Sequence, residues 1–183
     1  MGKILKIGIP VAFQDGLIQI AFIVITIIAN QRGLNDAAAV GIVEKVISFL
    51  FLVPSSMLST VSALGAQNIG AGKPGRAVQT LRYAIMLAAG FGVLATVTVQ
   101  FIAEPIVALF TDPSTANGAE VVRFGGQYLR GYIFDCIFAG IHFSFSGYFC
   151  ACGKSGLSFL HNIAAIALVR VPGVYLTSRL FPT

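Results

Sequence analysis

The stretch Gly65-Ala-Gln-Asn-Ile-Gly-Ala-Gly-Lys-Pro-Gly-Arg-Ala77 joins the end of one very apolar segment to the start of another. Its glycines at Gly70, Gly72 and Gly75 have the spacing of a dinucleotide-binding fingerprint. That fingerprint needs a β-strand before it and a parallel sheet around it, whereas a helix-length apolar run precedes this one. The stretch is therefore predicted to be a loop at a membrane surface.

A Walker phosphate loop is excluded by the same stretch. Gln67 occupies the position of its first glycine, and Pro74 replaces the Ser or Thr that would hold magnesium. We expect Gly70, Gly72 and Gly75 to form a compact turn on the cytoplasmic side, with Pro74 starting a short helix that leads into the next span. This turn would set the angle between two helices and bind no phosphate.

The composition is that of a protein that crosses a membrane several times. Hydrophobic residues make up 56% of the chain and charged residues 10%, with a mean hydropathy of +0.86. A soluble domain carries about 25% charged residues, so this chain has too little polar surface for a water-facing globule. We predict an all-α membrane protein without a soluble domain. The three cysteines are too few for a disulfide framework or a zinc site.

Five apolar stretches are long enough to cross a bilayer, which takes roughly 20 residues. The second contains Pro54 and is longer than one perpendicular crossing requires, which predicts tilt or a kink. Asp112-Pro113 and Gly153-Lys154 are turn signals between later stretches. The predicted spans are about 7–29, 38–69, 81–103, 124–151 and 156–180.

Basic residues predict the orientation, because they are enriched in cytoplasmic loops. Six lie on one set of alternate surfaces, namely Lys3, Lys6, Lys73, Arg76, Arg82 and Lys154, against Arg32, Arg123 and Arg179 on the other. The N-terminus is thus predicted to be cytoplasmic. The basic residues form no stripe with interleaved aromatics, so nucleic acid is not an expected partner.

Five pieces of the chain resemble the C-terminal half of multidrug and toxic compound extrusion (MATE) transporters, in the right order. They are the glycine loop, Lys6-Ile-Gly-Ile-Pro10, Phe101-Ile-Ala-Glu-Pro-Ile-Val-Ala-Leu-Phe-Thr111, Gly147-Tyr-Phe-Cys-Ala-Cys-Gly-Lys154 and Val169-Arg-Val-Pro172. The resemblance implies a half-bundle of six helices, of which this chain holds the first five. It also implies two partners, an N-terminal half and a sixth helix.

Asp135 and Asp15 are the ion-coupling candidates. Asp135 falls near the centre of the fourth predicted span, where a carboxylate can bind a proton or coordinate sodium. Its alternative role is a structural hydrogen bond between helices. Asp15 lies in the cytoplasmic half of the first span and faces a cavity or snorkels to the interface. In some MATE proteins, acidic residues on the corresponding two helices form a cation site, and the resemblance carries this to the helices.

Further polar residues are predicted to line a cavity or groove, where the first two spans would meet the other half. Glu44 is the leading one, and its neighbour Lys45, about 100° away on a helix, is expected to meet a different environment or to snorkel. Gln19 shares a helix face with Asp15. The full set of cavity-lining candidates is Glu44, Gln14, Gln19 and Asn30.

In the fifth span the polar residues are expected to be mainly structural. Arg170 precedes Pro172 by two residues, and a guanidinium is a good partner for the carbonyl that a proline frees. His161 is explained most simply as a packing or interface residue. A proton relay is its alternative role.

The functional prediction is secondary active efflux. The resemblance implies export of organic cations or similar amphiphiles by antiport with sodium or protons, with no cofactor and no enzymatic activity, in the plasma (inner) membrane. One alternative is a lipid-linked oligosaccharide flippase, which needs a cationic cavity to which only Lys45, Arg130 and Arg170 could contribute. The other is a membrane fragment or subunit that transports nothing itself.

Overall fold

The computed structural model describes residues 33–165 continuously, together with residues 8–9, 12–13, 16–17, 19–20, 23–24 and 26–27, which are helical. Residues 33–165 form six helices and no strand. This confirms the all-α fold for the described part of the chain. The helices are α1 (Leu34–Leu50), α2 (Leu52–Gly70), α3 (Pro74–Ala108), α4 (Ala116–Tyr132), α5 (Asp135–Ala151) and α6 (Ser155–Ala165).

The second predicted span is helical from Leu34 to Gly70, with an interruption at Phe51. Proline has no backbone N–H, so Pro54 leaves the carbonyl of Leu50 without its helical donor. The Phe51 N–H still bonds to the Ile47 carbonyl at 2.8 Å. The 37 residues of this helix pair rise about 55 Å at 1.5 Å per residue. They therefore exceed a hydrocarbon core about 30 Å thick.

The fourth predicted span is also interrupted, and the sequence analysis did not anticipate it. The axes of α4 and α5 differ by 43°. At the junction, Cys136 and Ile137 donate to the carbonyls three residues back, of Ile133 and Phe134. Such bonds replace the α-helical pattern with a tighter turn. The junction contains no proline, so the usual signal for a bend is missing there.

Two helices, Leu34–Gly70 with its interruption and Pro74–Ala108, are long and apolar enough to cross a membrane. A third crossing follows if the bent pair α4–α5 is taken as one span. These two or three crossings correspond to the second, third and fourth predicted spans. About half of the first predicted span and the C-terminal part of the fifth lie outside the described residues.

The described spans pack as two parallel helix pairs against one antiparallel helix. Along α2 and α5 the close approaches run in the same direction, from Val61 against Gly147 to Gly65 against Ala151. Val43 of α1 similarly packs near Gly125 of α4. The α3 helix runs the other way along both α4 and α5. This alternation of direction is what consecutive membrane crossings require.

Small residues allow these helices to approach closely. Between apolar helices in lipid there is little hydrophobic driving force, so close backbone packing contributes much of the attraction. A Cβ atom built on Gly92 would lie 2.9 Å from the Cα of Ile137, and one on Gly140 would lie 2.8 Å from Ala88 Cβ. Larger side chains at these positions would force α3 and α5 apart.

The glycine loop is a compact turn between α2 and α3. The N–H of Gly72 bonds to the Ile69 carbonyl at 3.0 Å, and the N–H of Lys73 to the Asn68 carbonyl at 2.8 Å. This pair of bonds is the Schellman motif, which ends a helix with a residue in the left-handed conformation. Gly72 has that conformation, with φ of 71°. Gly70 is the last residue of α2 and needs no such freedom. The prediction that Gly75 belongs to the turn is wrong, because Gly75 is the second residue of α3.

The expectation of a separate short helix after the turn is wrong. Pro74 is the first residue of α3, which continues without interruption for 35 residues. Proline is favoured at this first position because the N–H it lacks would have no helical acceptor. No proline interrupts α3 before its end, because the next proline after Pro74 is Pro105, which lies in the last turn of the helix.

Candidate functional site

Asp135 is the first residue of α5 and stands directly after the bend in the fourth span. Its side chain is half-buried. The N-terminal end of a helix carries a partial positive charge, which favours a carboxylate there. At the bend, the carboxylate of Asp135 therefore lies both at a helix terminus and beside a local departure from regular helical backbone. Discontinuous helices of this kind form ion sites in transporters.

An aromatic cluster lies next to this bend. Tyr128 and Tyr132 are one turn apart on α4, and their ring centroids are 5.8 Å apart. The ring of Phe51, at the interruption between α1 and α2, lies 6.1 Å from that of Tyr132. The two interruptions are thus at similar depth and touch through aromatic rings. Such rings can contact flat cations by cation–π attraction.

Polar side chains of α3 contact backbone carbonyls at the end of α4 and at the junction with α5. Gln100 donates from Nε2 to the Arg130 carbonyl at 3.1 Å. The Thr96 hydroxyl lies 2.7 Å from the Gly92 carbonyl and 3.5 Å from that of Ile133. Irregular backbone within a membrane is tolerated where neighbouring helices supply partners of this kind.

Arg130 also forms an ion pair with α3. Its guanidinium lies 3.2 Å from Oε1 of Glu104, and both side chains are partly exposed. A Cβ atom on Gly126 would lie 2.6 Å from the Glu104 side chain, so glycine there makes room for the carboxylate. The positive charge of Arg130 is thereby partly balanced within the described bundle.

Glu44 faces the first span. Its Oε1 accepts a hydrogen bond of 2.8 Å from the Thr26 hydroxyl, and its side chain is half-buried. Lys45 is exposed. The neighbouring residues therefore meet different surroundings. Glu44 binds the adjacent helix through Thr26, and its role in lining a cavity stays a prediction.

The other predicted site residues are divided between described and undescribed parts. Gln19 lies in a described helical stretch and is exposed. Gly70, Gly72 and Pro74 belong to the end of α2, the turn and the start of α3, as described above. The residues outside the described part are Gln14, Asp15, Asn30, Arg170 and Pro172.

Sequence reasoning missed Gln100, Glu104, Tyr128 and Tyr132 as neighbours of the bend. Their pattern offers little signal, because Gln100 and Arg130 are 30 residues apart and become neighbours only through antiparallel packing. The four-residue spacing of the two tyrosines could have been noticed. Within the described residues, no three His, Cys, Asp or Glu side chains converge as metal ligands would.

Comparison with known proteins places the chain in a family. The sequence profile of the MatE family matches residues 10–176. The chain is 26% identical over 169 residues to the probable multidrug resistance protein YpnP of Bacillus subtilis (strain 168), which covers 92% of the chain and 37% of that protein.

Two further relatives have similar identities. The probable multidrug resistance protein NorM of Aromatoleum aromaticum is 29% identical over 136 residues, covering 73% of the chain and 29% of that protein. The FAD transporter of Shewanella oneidensis is 31% identical over 112 residues, covering 61% of the chain and 25% of that protein. No solved structure matches. The chain thus spans between a quarter and somewhat over a third of these relatives. The family match covers most of the chain, and the protein belongs to the MatE family, that of the multidrug and toxic compound extrusion (MATE) transporters.

Proposed function

We propose that this chain is part of a secondary transporter that exports organic cations or similar amphiphiles in exchange for sodium or protons. Family membership supports transport, and two relatives are named as probable multidrug resistance proteins. The observation that carries the proposal is Asp135, a half-buried carboxylate at the start of α5 beside a bend in a membrane span. Intramembrane carboxylates commonly serve ion pathways.

Coupling requires that the ion bind more tightly to one facing state of the transporter than to the other. A carboxylate at a helix bend can meet this requirement, because a change in the bend alters which oxygen atoms surround it. The aromatic cluster of Phe51, Tyr128 and Tyr132 lies beside the bend and provides apolar, electron-rich surfaces for a flat cation. The chain would work in the plasma (inner) membrane with a second half of the transporter and a further helix.

The charges near the bend favour a cationic substrate over one that carries a pyrophosphate. A lipid-linked oligosaccharide or FAD would need free cationic groups in the cavity. Of the three residues considered for that role, Arg130 is paired with Glu104 at 3.2 Å, Lys45 is exposed, and Arg170 lies outside the described residues. Asp135 and Glu44 add negative charge to the spans. An anionic substrate is therefore the less favoured candidate.

The test is export by the complete transporter that contains this chain, expressed in cells without their own efflux pumps. Asp135→Asn removes a charge at nearly constant volume, and we expect it to abolish ion-driven export of a cationic dye. Insertion should be retained, because an amide costs less than a carboxylate in the membrane. Membrane abundance is measured by immunoblotting.

Asp112→Asn is the matched control, because it makes the same chemical change in the exposed loop between α3 and α4. It should export normally. Full export by a well-expressed Asp135→Asn transporter would remove Asp135 from the coupling site and would direct the search to the other half.

A further inference from the structure

The α5 and α6 helices fold back on each other after the turn at Gly153. Near the turn, the side chains of Cys150 and Ser158 are hydrogen-bonded. Farther from it, the rings of His142 and His161 are stacked, with centroids 4.6 Å apart and planes that differ by 24°. Because residues earlier in α5 meet residues later in α6, the two helices run antiparallel.

The register of this crossing places Ser146 opposite Asn162. One turn back along α5 from Cys150 leads to Ser146, on the same face of the helix. One turn onward along α6 from Ser158 leads to Asn162, again on the same face. The two residues therefore lie at one level of the interface between the helices.

Both residues are buried, and each has a polar atom that lacks a hydrogen bond. Ser146 is 0% exposed and Asn162 is 3% exposed. Within the described residues, neither Oγ of Ser146 nor Nδ2 of Asn162 has a hydrogen-bond partner. A hydroxyl or an amide buried without a hydrogen bond is unfavourable, above all within a membrane. Two such atoms at one level of the same interface point to a further group that bonds to both.

Ser144, two residues earlier on α5, differs from Ser146 in this respect. It is also 0% exposed, and its hydroxyl donates to the Gly140 carbonyl at 2.7 Å. Buried serines in helices often bond to the carbonyl four residues back in this way. The hydroxyl of Ser146 makes no such bond. It is therefore available to a group that lies between α5 and α6.

We propose that Ser146 and Asn162 bind one water molecule between α5 and α6. Water fits both atoms, because its oxygen accepts from the Asn162 amide while the Ser146 hydroxyl can donate to it or accept from it. Buried waters bond in this way to polar groups that are otherwise unsatisfied. The bound water links the two helices, as polar side chains do directly in other pairs of membrane helices.

The position of the site allows water to enter and keeps the site apart from the ion-coupling candidate. Asn162 is seven residues after Ser155, the first residue of α6, which is about 10 Å along the helix from the turn. Ser146 is 11 residues after Asp135, or about 16 Å along α5. The water site therefore does not depend on the proposed transport function.

The experiment is magic-angle-spinning NMR of the full chain in lipid bilayers, with magnetisation transferred from water to asparagine side chains. His161-Asn162 is the only His-Asn pair in the sequence, so ¹³C-labelled histidine with ¹³C,¹⁵N-labelled asparagine identifies the Asn162 signals without a variant. Mixing times are kept too short for amide exchange with bulk water. We expect direct transfer from water to the side-chain amide of Asn162. Ser146→Ala removes one of the two anchors and should weaken this transfer several-fold.

Ser144→Ala is the matched control, because it removes an equally buried hydroxyl of α5 that bonds within its own helix. It should leave the transfer to Asn162 unchanged. If the wild type shows no transfer to Asn162 while the exposed Asn117 shows it, the proposal is overturned, and this result needs no variant. Full transfer in Ser146→Ala, or an equal loss in Ser144→Ala, would also overturn it. So would a wild-type signal that disappears when sodium chloride replaces choline chloride, because that result would assign the site to a cation.

Discussion

The parallel contact between α2 and α5 can be tested at Gly147. A Cβ atom at this position would lie 2.5 Å from the Leu58 carbonyl oxygen and 3.1 Å from Val61 Cβ. Carbon and oxygen atoms rest at about 3.3 Å or more, so Gly147→Ala requires a separation of roughly 0.8 Å between two backbones. Overpacking of this kind costs about 1–3 kcal/mol.

Gly90→Ala is the control for the intrinsic effect of alanine. Gly90 is exposed within α3, and a Cβ atom built on it meets nothing within 4 Å. Both substitutions gain the same helix propensity, about 1 kcal/mol. The difference between the two variants therefore isolates the packing cost. We expect Gly147→Ala to be less stable than Gly90→Ala by about 1–3 kcal/mol.

The assay is equilibrium unfolding of the protein in mixed detergent micelles, followed by far-UV circular dichroism. A Gly147→Ala variant that is as stable as Gly90→Ala would show that α2 and α5 do not approach each other as described. Gly65→Ala tests the same crossing independently, because its Cβ atom would lie 2.8 Å from Ala151 Cβ. It should be destabilised in the same direction.

Two further predictions concern the loops. Gly72→Ala forces a side chain into the left-handed conformation and should lower the free energy of unfolding by about 1–2 kcal/mol. Gly75→Ala is the control, because Gly75 has φ in the ordinary range and should lose no stability in this way. Equal stabilities of the two variants in the same unfolding assay would contradict the Schellman turn. The backbone N–H of Ser114 holds the pKa of Asp112 below its usual value of 3.8. Because a lowered pKa means that the folded state favours the ionised form, this contribution is present above pH 3.8 and is lost as the pH falls below it through the folded pKa. The protection of the Ser114 amide, measured as its hydrogen-exchange rate relative to that of an unstructured amide at the same pH, should therefore fall in that acid range, and this fall should be absent in Asp112→Asn.

Several features of the fold follow directly from the sequence, because they depend on local chemistry. The apolar composition predicts membrane helices, Gly72 predicts the left-handed turn, and Pro54 predicts an interruption of the second span. For Gly72 and Pro54, the residue type has a strong conformational preference that its surroundings do not override. The turn at Gly153, with φ of 70°, has the same Schellman bonds and also follows from a glycine after a helix.

Other features depend on which helices meet, and a single sequence does not contain that information in readable form. The bend before Asp135 has no proline. Gln100 and Thr96 support it only because α3 runs antiparallel to α4. The stack of His142 and His161 joins residues 19 positions apart on two helices. Sequence reasoning singled out Asp135 and His161 by their chemistry and missed the partners that packing brings to them.

The measurement that tests the central claim most directly is transport by the complete protein in proteoliposomes. A fluorescent organic cation is loaded on one side, and a sodium or proton gradient is imposed with no nucleotide present. The account predicts movement of the cation against its gradient, driven by one of the two ions and stopped when an ionophore dissipates that ion's gradient. Transport that continues at the same rate after both gradients have been dissipated, or no transport under either gradient, would contradict it.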